Sequence, residues 1–528
     1  MNLSGFKGRI AGKPLLAFIA AWTILFLVLG YPGILKKRPV GIHQWAQCDR
    51  GSVARNYAEE SMNFFLPRVN ASQERQGISG MEFPLMNYLA AVLYKVFGFN
   101  EGWYRLLMML AITCGACCAF LITLNFVKDQ LLSIALVVLW YVSPVLVYYT
   151  PNFIPDTASL GFMMIAWYCY FRLQRPEGSR MLYLWLFLFA ALASLIKITS
   201  LMGIMIMAAI SLFEYFRKPR VEGRKGKQAV YILINAIAVA AVTYSWYRYA
   251  DMLNRVYKTP YFLMRTQHIE SWEQALDVIN QITERWLDDY YTPMALLAGV
   301  LMLLTCIVKF RYADRQLLMI TLLYFAGILC FFVLMGRQFT HHDYYIITLL
   351  PFPFFVMITF FEMVMRNFSV HSMFLYFRFA LILIILVAVY RNTVFARTRL
   401  DIRYQAESNS TRLFGMEEYL RSLGIERDHR ALIVYDCSPN ITLYYFNIKG
   451  WNICYSDGWR SVTRKYAFPE ARYVITNDAD SFDIDFFTRS QAPFIVTPDG
   501  DTIDVSNPSP LKMIGARNGF TIYEKERQ

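Results

Sequence analysis

The sequence predicts a polytopic α-helical membrane protein of about eleven spanning helices, followed by a small C-terminal extracytoplasmic α/β domain. Three observations carry this expectation. Of the 528 residues, 56% are hydrophobic and 17% charged, against roughly 45–50% and about 25% in soluble chains. The apolar residues come in blocks long enough to cross a bilayer, and the mean hydropathy is +0.33. The Lys and Arg residues behind the formal charge of +13 gather in short stretches between those blocks. That distribution belongs to membrane topology and not to a nucleic-acid-binding face. The composition also excludes a disordered chain, a coiled coil and a disulfide-rich secreted domain.

A spanning helix needs about 20 apolar residues, because the hydrocarbon core is about 30 Å thick and each residue rises about 1.5 Å. The candidate runs are 14–34, 103–126, 131–149, 157–173, 181–196, 198–216, 229–249, 293–310, 316–335, 346–364 and 376–391. A further stretch, 84–98, is short, begins at Pro84 and carries Lys95. Counting it as a span would invert every later loop, so positive charge decides. With 84–98 lying in the interface as an amphipathic helix, the basic segments 172–180, 217–227, 309–315 and 365–378 all fall inside with the N-terminal tail. The short outer loops then hold little beyond Lys197 and Arg337. Orientation follows this Lys/Arg asymmetry, which places the N-terminus in the cytoplasm; the compact chain, without large inserted lumenal modules, favours the inner (plasma) membrane as the site of this multi-pass protein. No cleavable signal peptide is expected, since the run 14–34 is too long for one.

Three pieces lie outside: a first loop at 35–102, a second at 250–292, and a tail. The expected domains are a transmembrane catalytic domain at 1–391 and a soluble α/β domain at 392–528. The tail returns to ordinary soluble composition, with β-like runs at 431–436, 473–476, 494–499 and 520–526 after a polar helical pattern at 414–424. Cys437 and Cys454 lie in this tail and are open to disulfide formation or to remaining free. Cys114, Cys117 and Cys118 mimic a metal spacing, but inside an apolar run they read as small packing residues.

Ionisable groups near membrane depth are costly, which makes them candidates for function. Three carboxylates fall beside outer membrane boundaries: Asp49 after the first span, Glu82 before Pro84, and Asp156 opening the fourth span. On this topology all three face one compartment and are expected to converge on one pocket. Each also has a plain alternative. Asp49 has Arg50 and Arg55 nearby as ion-pair partners, and Glu82 and Asp156 suit helix N-caps or first turns.

The order of these elements resembles the C-type glycosyltransferase (GT-C) superfamily, in its ArnT/protein O-mannosyltransferase-like branch. The elements are Asp49, Arg55-Asn56-Tyr57-Ala58, Glu82-Phe83-Pro84-Leu85, Phe97-Gly98, Arg105, Pro155-Asp156, Lys197 and the segment 341–351, HHDYYIITLLP. Two departures stand out. Arg50 follows Asp49 where the family often has Glu, and Phe83 stands where many members carry Lys. The resemblance implies transfer of a sugar from a polyprenyl-phosphate donor to a hydroxyl or phosphate of a lipid, glycan or protein acceptor at the outer face. It implies Asp49, Glu82 and Asp156 as catalytic residues, with Asp49 as general base of an inverting single displacement. With Phe83 in place of a lysine, Arg50, Lys197 and Arg337 become the candidates for holding the donor phosphate.

Tyr57, Tyr261, Trp272 and Tyr345 are candidates for stacking on substrate, although aromatic residues also form interface belts. Glu82 with His268 and His342 forms a candidate site for a divalent cation (Zn, Mn or Mg), since imidazole and carboxylate suit such ions. Competing classes are a flippase or transporter of a lipid-linked sugar, an oligosaccharide ligase, and a non-catalytic envelope assembly protein. Transporters favour inverted repeats and mid-membrane charges, whereas this chain shows no repeat and its acids gather at one face.

Overall fold

The computed structural model describes residues 12–72, 76–175, 179–217, 224–258, 262, 266–367, 371–399, 410–434, 436–438, 440–454, 470–480, 482, 494–496, 502–504 and 510–525. The chain divides into two compact units. The first comprises Met1–Lys36, Gly102–Tyr247 and Arg265–Thr398, the second Lys37–Glu101, Arg248–Met264 and Arg399–Gln528.

The first unit is a helical body. Every apolar run read from the sequence is helical, but several are broken where the chain carries a helix breaker. Gly12–Val28 ends shortly before Gly30, whose left-handed backbone leads into a short turn at Tyr31–Ile34. Pro144 separates Gln130–Tyr141 from Pro144–Tyr149, and Pro351 separates a 3₁₀ segment at Asp343–Leu349 from Pro351–Asn367. Among the described residues, four helices are long and apolar enough to cross a membrane: Gly102–Val127, Ile198–Arg217, Gly226–Tyr257 and Arg315–Thr340. The pair Asp343–Leu349 and Pro351–Asn367, bent by 43°, makes a fifth if it is one span. Lys13–Val28, Gln130–Tyr141, Met181–Ile196 and Pro293–Val308 are apolar but shorter.

Within this body, backbones approach closely where glycines face each other. A Cβ on Gly115 would lie 2.5 Å from the Cα of Gly161, and one on Gly161 would strike the Ala111 carbonyl. Small residues at crossings are how helices pack without a hydrophobic driving force between them. Large rings fill the space around them. Trp167 donates to the Tyr324 hydroxyl at 2.8 Å and meets Phe355 edge-on.

The second unit is mixed α/β. Its strands are β1 (Arg430–Val434), β2 (Lys449–Ile453), β3 (Tyr473–Thr476), β4 (Phe494–Val496), β5 (Thr502–Asp504), β6 (Leu511–Arg517) and β7 (Phe520–Lys525). One sheet has the order β2-β1-β3-β7-β6, with β1 parallel to both β2 and β3 and β7 antiparallel to β3 and β6. β4 and β5 form a separate ribbon. Cys437 and Cys454 are joined in a disulfide just beyond β1 and β2.

The first loop contributes to the same unit. Its helix Gln44–Glu59 shares a core with the tail, in which Val53, Tyr57 and Met81 pack with Leu420, Ile433, Tyr444 and Ile475. Polar contacts reinforce this. Asn70 donates to the Leu443 and Ile448 carbonyls, and Asn440 donates to Ser52 Oγ at 2.8 Å. Arg55 forks onto Glu417 at 2.5 and 2.9 Å while its Nε reaches Glu59 at 2.7 Å, the planar bidentate geometry that favours arginine for such pairs. Lys449 and Arg68 both bind Glu60. The helix Leu85–Phe97 has 13 residues, about 20 Å of length and too short to cross about 30 Å of hydrocarbon. One face packs inward through Met86, Ala90 and Tyr94, while Leu89, Val92, Val96 and Phe97 are exposed.

Candidate active site

Of the residues singled out in the sequence, two groups assemble, one in each unit. In the helical body, Asp156 is the first residue of the helix Asp156–Leu173. The loop before it is clamped: Arg105 donates to the Pro151 carbonyl and lies over the Phe153 ring at 4.8 Å, and Tyr104 stacks on the same ring. Asn152 accepts from the Phe153 and Ile154 amides, which tightens the turn. The cap position before it is Pro155, which makes no side-chain cap. The Asp156 carboxylate faces Lys197, with Nζ 2.9 Å from Oδ1 and the acid only 1% exposed.

Lys197 reaches that position because the helix Met181–Ile196 stops there. The lysine takes an extended conformation before a 3₁₀ turn at Ile198–Ser200 and the next helix, Leu201–Arg217. Ser159 ties this break to the neighbouring helix by donating to the Ala193 carbonyl at 2.8 Å and meeting Ser200 Oγ at 2.7 Å. Thr199 meets Thr348 at 2.7 Å. The ammonium also lies over two rings, 4.1 Å from the Tyr345 centroid and 5.2 Å from that of Tyr344, within the range of cation–π attraction. The segment opened by His341 therefore contributes aromatic walls to the cation. His342 stacks on Tyr345 at 5.6 Å, and its Nδ1 lies 3.4 Å from the Tyr344 hydroxyl.

In the second unit, Asp49 and Arg50 sit on Gln44–Glu59 and both are buried. Arg50 Nη2 donates to Glu82 Oε1 at 2.5 Å and Nη1 to the Ala46 carbonyl at 3.1 Å. Asn87 locks the backbone by donating to the Arg50 carbonyl at 2.8 Å. The segment holding Glu82 is fixed in turn by Asn254, which bonds both the amide and the carbonyl of Gly80. Glu82 is thus an ion-pair partner and not an N-cap: the helix Leu85–Phe97 has Pro84 at its cap position.

Other expectations are corrected. Tyr57 is 2% exposed and belongs to the core, where its hydroxyl donates to the Phe64 carbonyl at 2.7 Å. Burial pushes its phenol well above the ordinary range, and no ring face is left for a sugar. The expected metal ligands lie in different units, Glu82 in the second and His268 and His342 in the first. Among the described residues, no three His, Cys, Asp or Glu side chains come together to hold a metal ion. Glu82 is engaged by Arg50, His268 is largely exposed 3.8 Å from Glu270, and His342 packs on tyrosines. Arg337 is half-exposed, 4.0 Å from Glu270, and Trp272 is exposed at the start of the helix Trp272–Arg285. Tyr261 lies outside the described residues.

Two further buried acids go beyond the sequence reading. Asp343 accepts from the Tyr149 hydroxyl at 2.7 Å, and Glu101 accepts from Arg38 at 3.2 Å and from the Tyr444 hydroxyl at 2.7 Å. Asp343 has a signal in sequence, since it stands at the opening of a late apolar run, where a charge is costly.

Residues 82–246 match the family model described as dolichyl-phosphate-mannose-protein mannosyltransferase. No curated protein sequence matches the chain significantly. Among solved structures, ArnT from Cupriavidus metallidurans in the apo state is similar at a TM-score of 0.59 and 11% identity, over 98% of this chain and 99% of that one. ArnT from the same organism bound to undecaprenyl phosphate gives 0.57 and 11%, over 97% and 98%. The archaeal oligosaccharyltransferase AglB from Archaeoglobus fulgidus, solved with an inhibitory peptide and a dolichol-phosphate, gives 0.50 and 11%, over 95% and 75%. The chain therefore shares its fold with the ArnT structures, and its long apolar helices are those of a multi-pass membrane protein.

Proposed function

We propose that the chain is a membrane glycosyltransferase that takes a sugar from a polyprenyl-phosphate donor and passes it to an acceptor hydroxyl or phosphate at the extracytoplasmic face. The observation that carries this reading is the Lys197–Asp156 pair: a cation held 2.9 Å from a buried acid at a break between two apolar helices. Asp156 aims the ammonium, whose charge would stabilise a departing phosphate. Tyr345 walls the ammonium and limits its rotation. The ArnT structure holding undecaprenyl phosphate and the AglB structure holding a dolichol-phosphate support this donor class.

Asp49 is the proposed general base. As the acceptor oxygen attacks the anomeric carbon, the carboxylate takes the hydroxyl proton. The bond from carbon to phosphate oxygen breaks, and its electron pair leaves on the polyprenyl phosphate. A single displacement of this kind inverts the anomeric centre. Arg50 spends its donors on Glu82 and Ala46, so its proposed part is to hold the helix that carries Asp49. The eleven-span topology, the cytoplasmic N-terminus and the exported tail belong to the same proposal, with Leu85–Phe97 lying in the interface through its exposed apolar side.

The test is reconstitution in vesicles with a radiolabelled polyprenyl-phosphate sugar and envelope acceptors. Transfer to an acceptor is expected, and relocation of the lipid without transfer would replace the reading with a flippase. Asp49→Asn should lower kcat by about 10²- to 10⁴-fold, the usual contribution of a general base. Lys197→Ala should raise the donor KM as well as lower kcat, and near-full activity in either variant would remove that residue's role.

A further inference from the structure

Tyr149 and Asp343 form a buried pair that the chemistry proposed so far does not use. Both residues are 0% exposed within the helical body, and the Tyr149 hydroxyl donates to Asp343 Oδ1 at 2.7 Å across 194 positions of sequence. A hydrogen bond onto a carboxylate is about twice as strong as one between neutral groups. An acid buried among apolar helices is also costly enough to call for a function.

The contacts of Tyr149 point to that function. It is the last residue of the short helix Pro144–Tyr149, ahead of the loop that leads into Asp156. Its carbonyl accepts from the Asn152 amide at 3.2 Å and from Thr157 Oγ1 at 3.4 Å, which ties it to that loop and to the first turn of Asp156–Leu173. Its ring meets Tyr344 edge-on, with centroids 5.6 Å apart. Tyr344 stacks on Tyr345 at 5.4 Å, and these are the two rings beneath the Lys197 ammonium. Asp343 opens the 3₁₀ segment that carries both rings. One residue therefore touches both structures that flank Lys197: the helix start bearing its carboxylate partner and the turn bearing its aromatic wall.

We infer that Tyr149 is a positioning residue for the donor phosphate, acting through Lys197, with Asp343 as the acceptor that holds its hydroxyl. The assignment rests on Lys197 serving that phosphate, as proposed. The hydroxyl bond fixes the 3₁₀ segment against the end of Pro144–Tyr149, and so fixes where Tyr345 stands relative to the ammonium. Attraction between a cation and a ring depends on that placement. With the bond removed, the wall beside Lys197 loosens and the ammonium is aimed less closely at the phosphate. Phenylalanine at position 149 keeps the ring and the carbonyl, so it isolates the hydroxyl.

The test compares binding of undecaprenyl phosphate and of undecaprenol to full-length protein in detergent, which separates affinity for the phosphate from affinity for the polyprenyl chain. Tyr149→Phe should weaken undecaprenyl phosphate about five- to tenfold and leave undecaprenol within about twofold, a split that general loosening of the helices does not produce. Asp343→Ala should show the same split. Y149F/D343A should bind no worse than the weaker single variant, because both changes remove one bond. Asp343→Asn keeps an oxygen acceptor for the hydroxyl and should recover most of the affinity that alanine loses, which also serves where the alanine variant folds poorly. Lys197→Ala is the reference, expected to lose about tenfold or more. Wild-type binding of undecaprenyl phosphate by Lys197→Ala would overturn the phosphate reading and the assignment with it. Weak binding by Lys197→Ala beside wild-type binding by Tyr149→Phe would overturn the Tyr149 assignment alone, as would equal loss of both lipids in Tyr149→Phe.

Discussion

Each of the two units is held together internally, and the means differ. In the helical body, the crossing of Gly102–Val127 with Asp156–Leu173 is set by Gly115 and Gly161, where backbones touch. In the second unit, segments far apart in the chain are joined by charge: Arg55 to Glu417, Lys449 to Glu60 and Arg427 to Glu59. The physical cause is the surrounding medium. Ion pairs in hydrocarbon bear a desolvation cost without nearby water to moderate it, so close packing of small residues does the joining there. A unit with soluble composition has room for half-buried networks, whose members share partners. Lys197–Asp156 runs against this pattern: its acid is 1% exposed within the helical body, where such a charge is least expected without a function.

That contrast can be broken from either side, and the largest effect should come from the helical body. Gly161→Leu sets a side chain against the Ala111 backbone, which cannot yield as a flexible side chain would. A loss of about 4 kcal/mol or more is expected, seen as disappearance of the monodisperse peak when the detergent-solubilised protein is run on a sizing column. A normal profile would show that the crossing tolerates separation.

In the second unit, C437A/C454A removes a disulfide whose cysteines are 17 residues apart. The cost should be about 3 kcal/mol by the loop-entropy relation. Limited proteolysis of the tail, with and without the substitutions, measures it, and unchanged cleavage rates would remove the disulfide from the account. Glu417→Ala should cost somewhat less, about 2 kcal/mol, since water reaches part of this network and screens it. Arg55 also keeps Glu59 as a second partner. The same proteolysis assay reads the loss, and cleavage at the wild-type rate would show that Glu417 contributes nothing to holding the tail.

The smallest effect is one of pH. Burial by itself raises the Glu417 carboxyl, but the hydrogen bonds and charge of Arg55 outweigh it and hold the group below its ordinary 4.5. A depressed pKa means the stabilisation is full above 4.5 and fades as pH falls through the folded value. Tail melting should therefore drop below pH 4.5, and Glu417→Gln should flatten that limb. An unaltered limb would place the acid sensitivity elsewhere in the network.

Much of the molecule is legible because it is encoded locally. Apolar runs announce the helices, short runs of β-branched and aromatic residues announce β1, β3 and β7, and the Lys/Arg spacing sets the expected topology. The 13-residue length of Leu85–Phe97 agrees with reading that stretch as something other than a span. The candidate residues stand out because a charge beside a membrane boundary is conspicuous in any apolar sequence. Their partners do not. Nothing near Asp156 in sequence points to Lys197, which lies beyond the whole of the next helix. Nothing near Arg55 points to Glu417, 362 positions further along the chain. Tyr57 and His342 mislead for the same reason, since a ring that fills a core and a ring that meets a ligand look alike in one dimension.

What the sequence determined by itself was therefore each element's kind, length and apolar face, along with the residues too costly to bury for nothing. These follow from interactions over one or two helical turns or a few strand residues. The tertiary structure alone decided which charge meets which, that the first loop shares a core with the tail, and that no metal-ligating group forms among the described residues. Those outcomes depend on the free energy of desolvating specific pairs brought together from distant parts of the chain, and no local pattern records which partner will arrive.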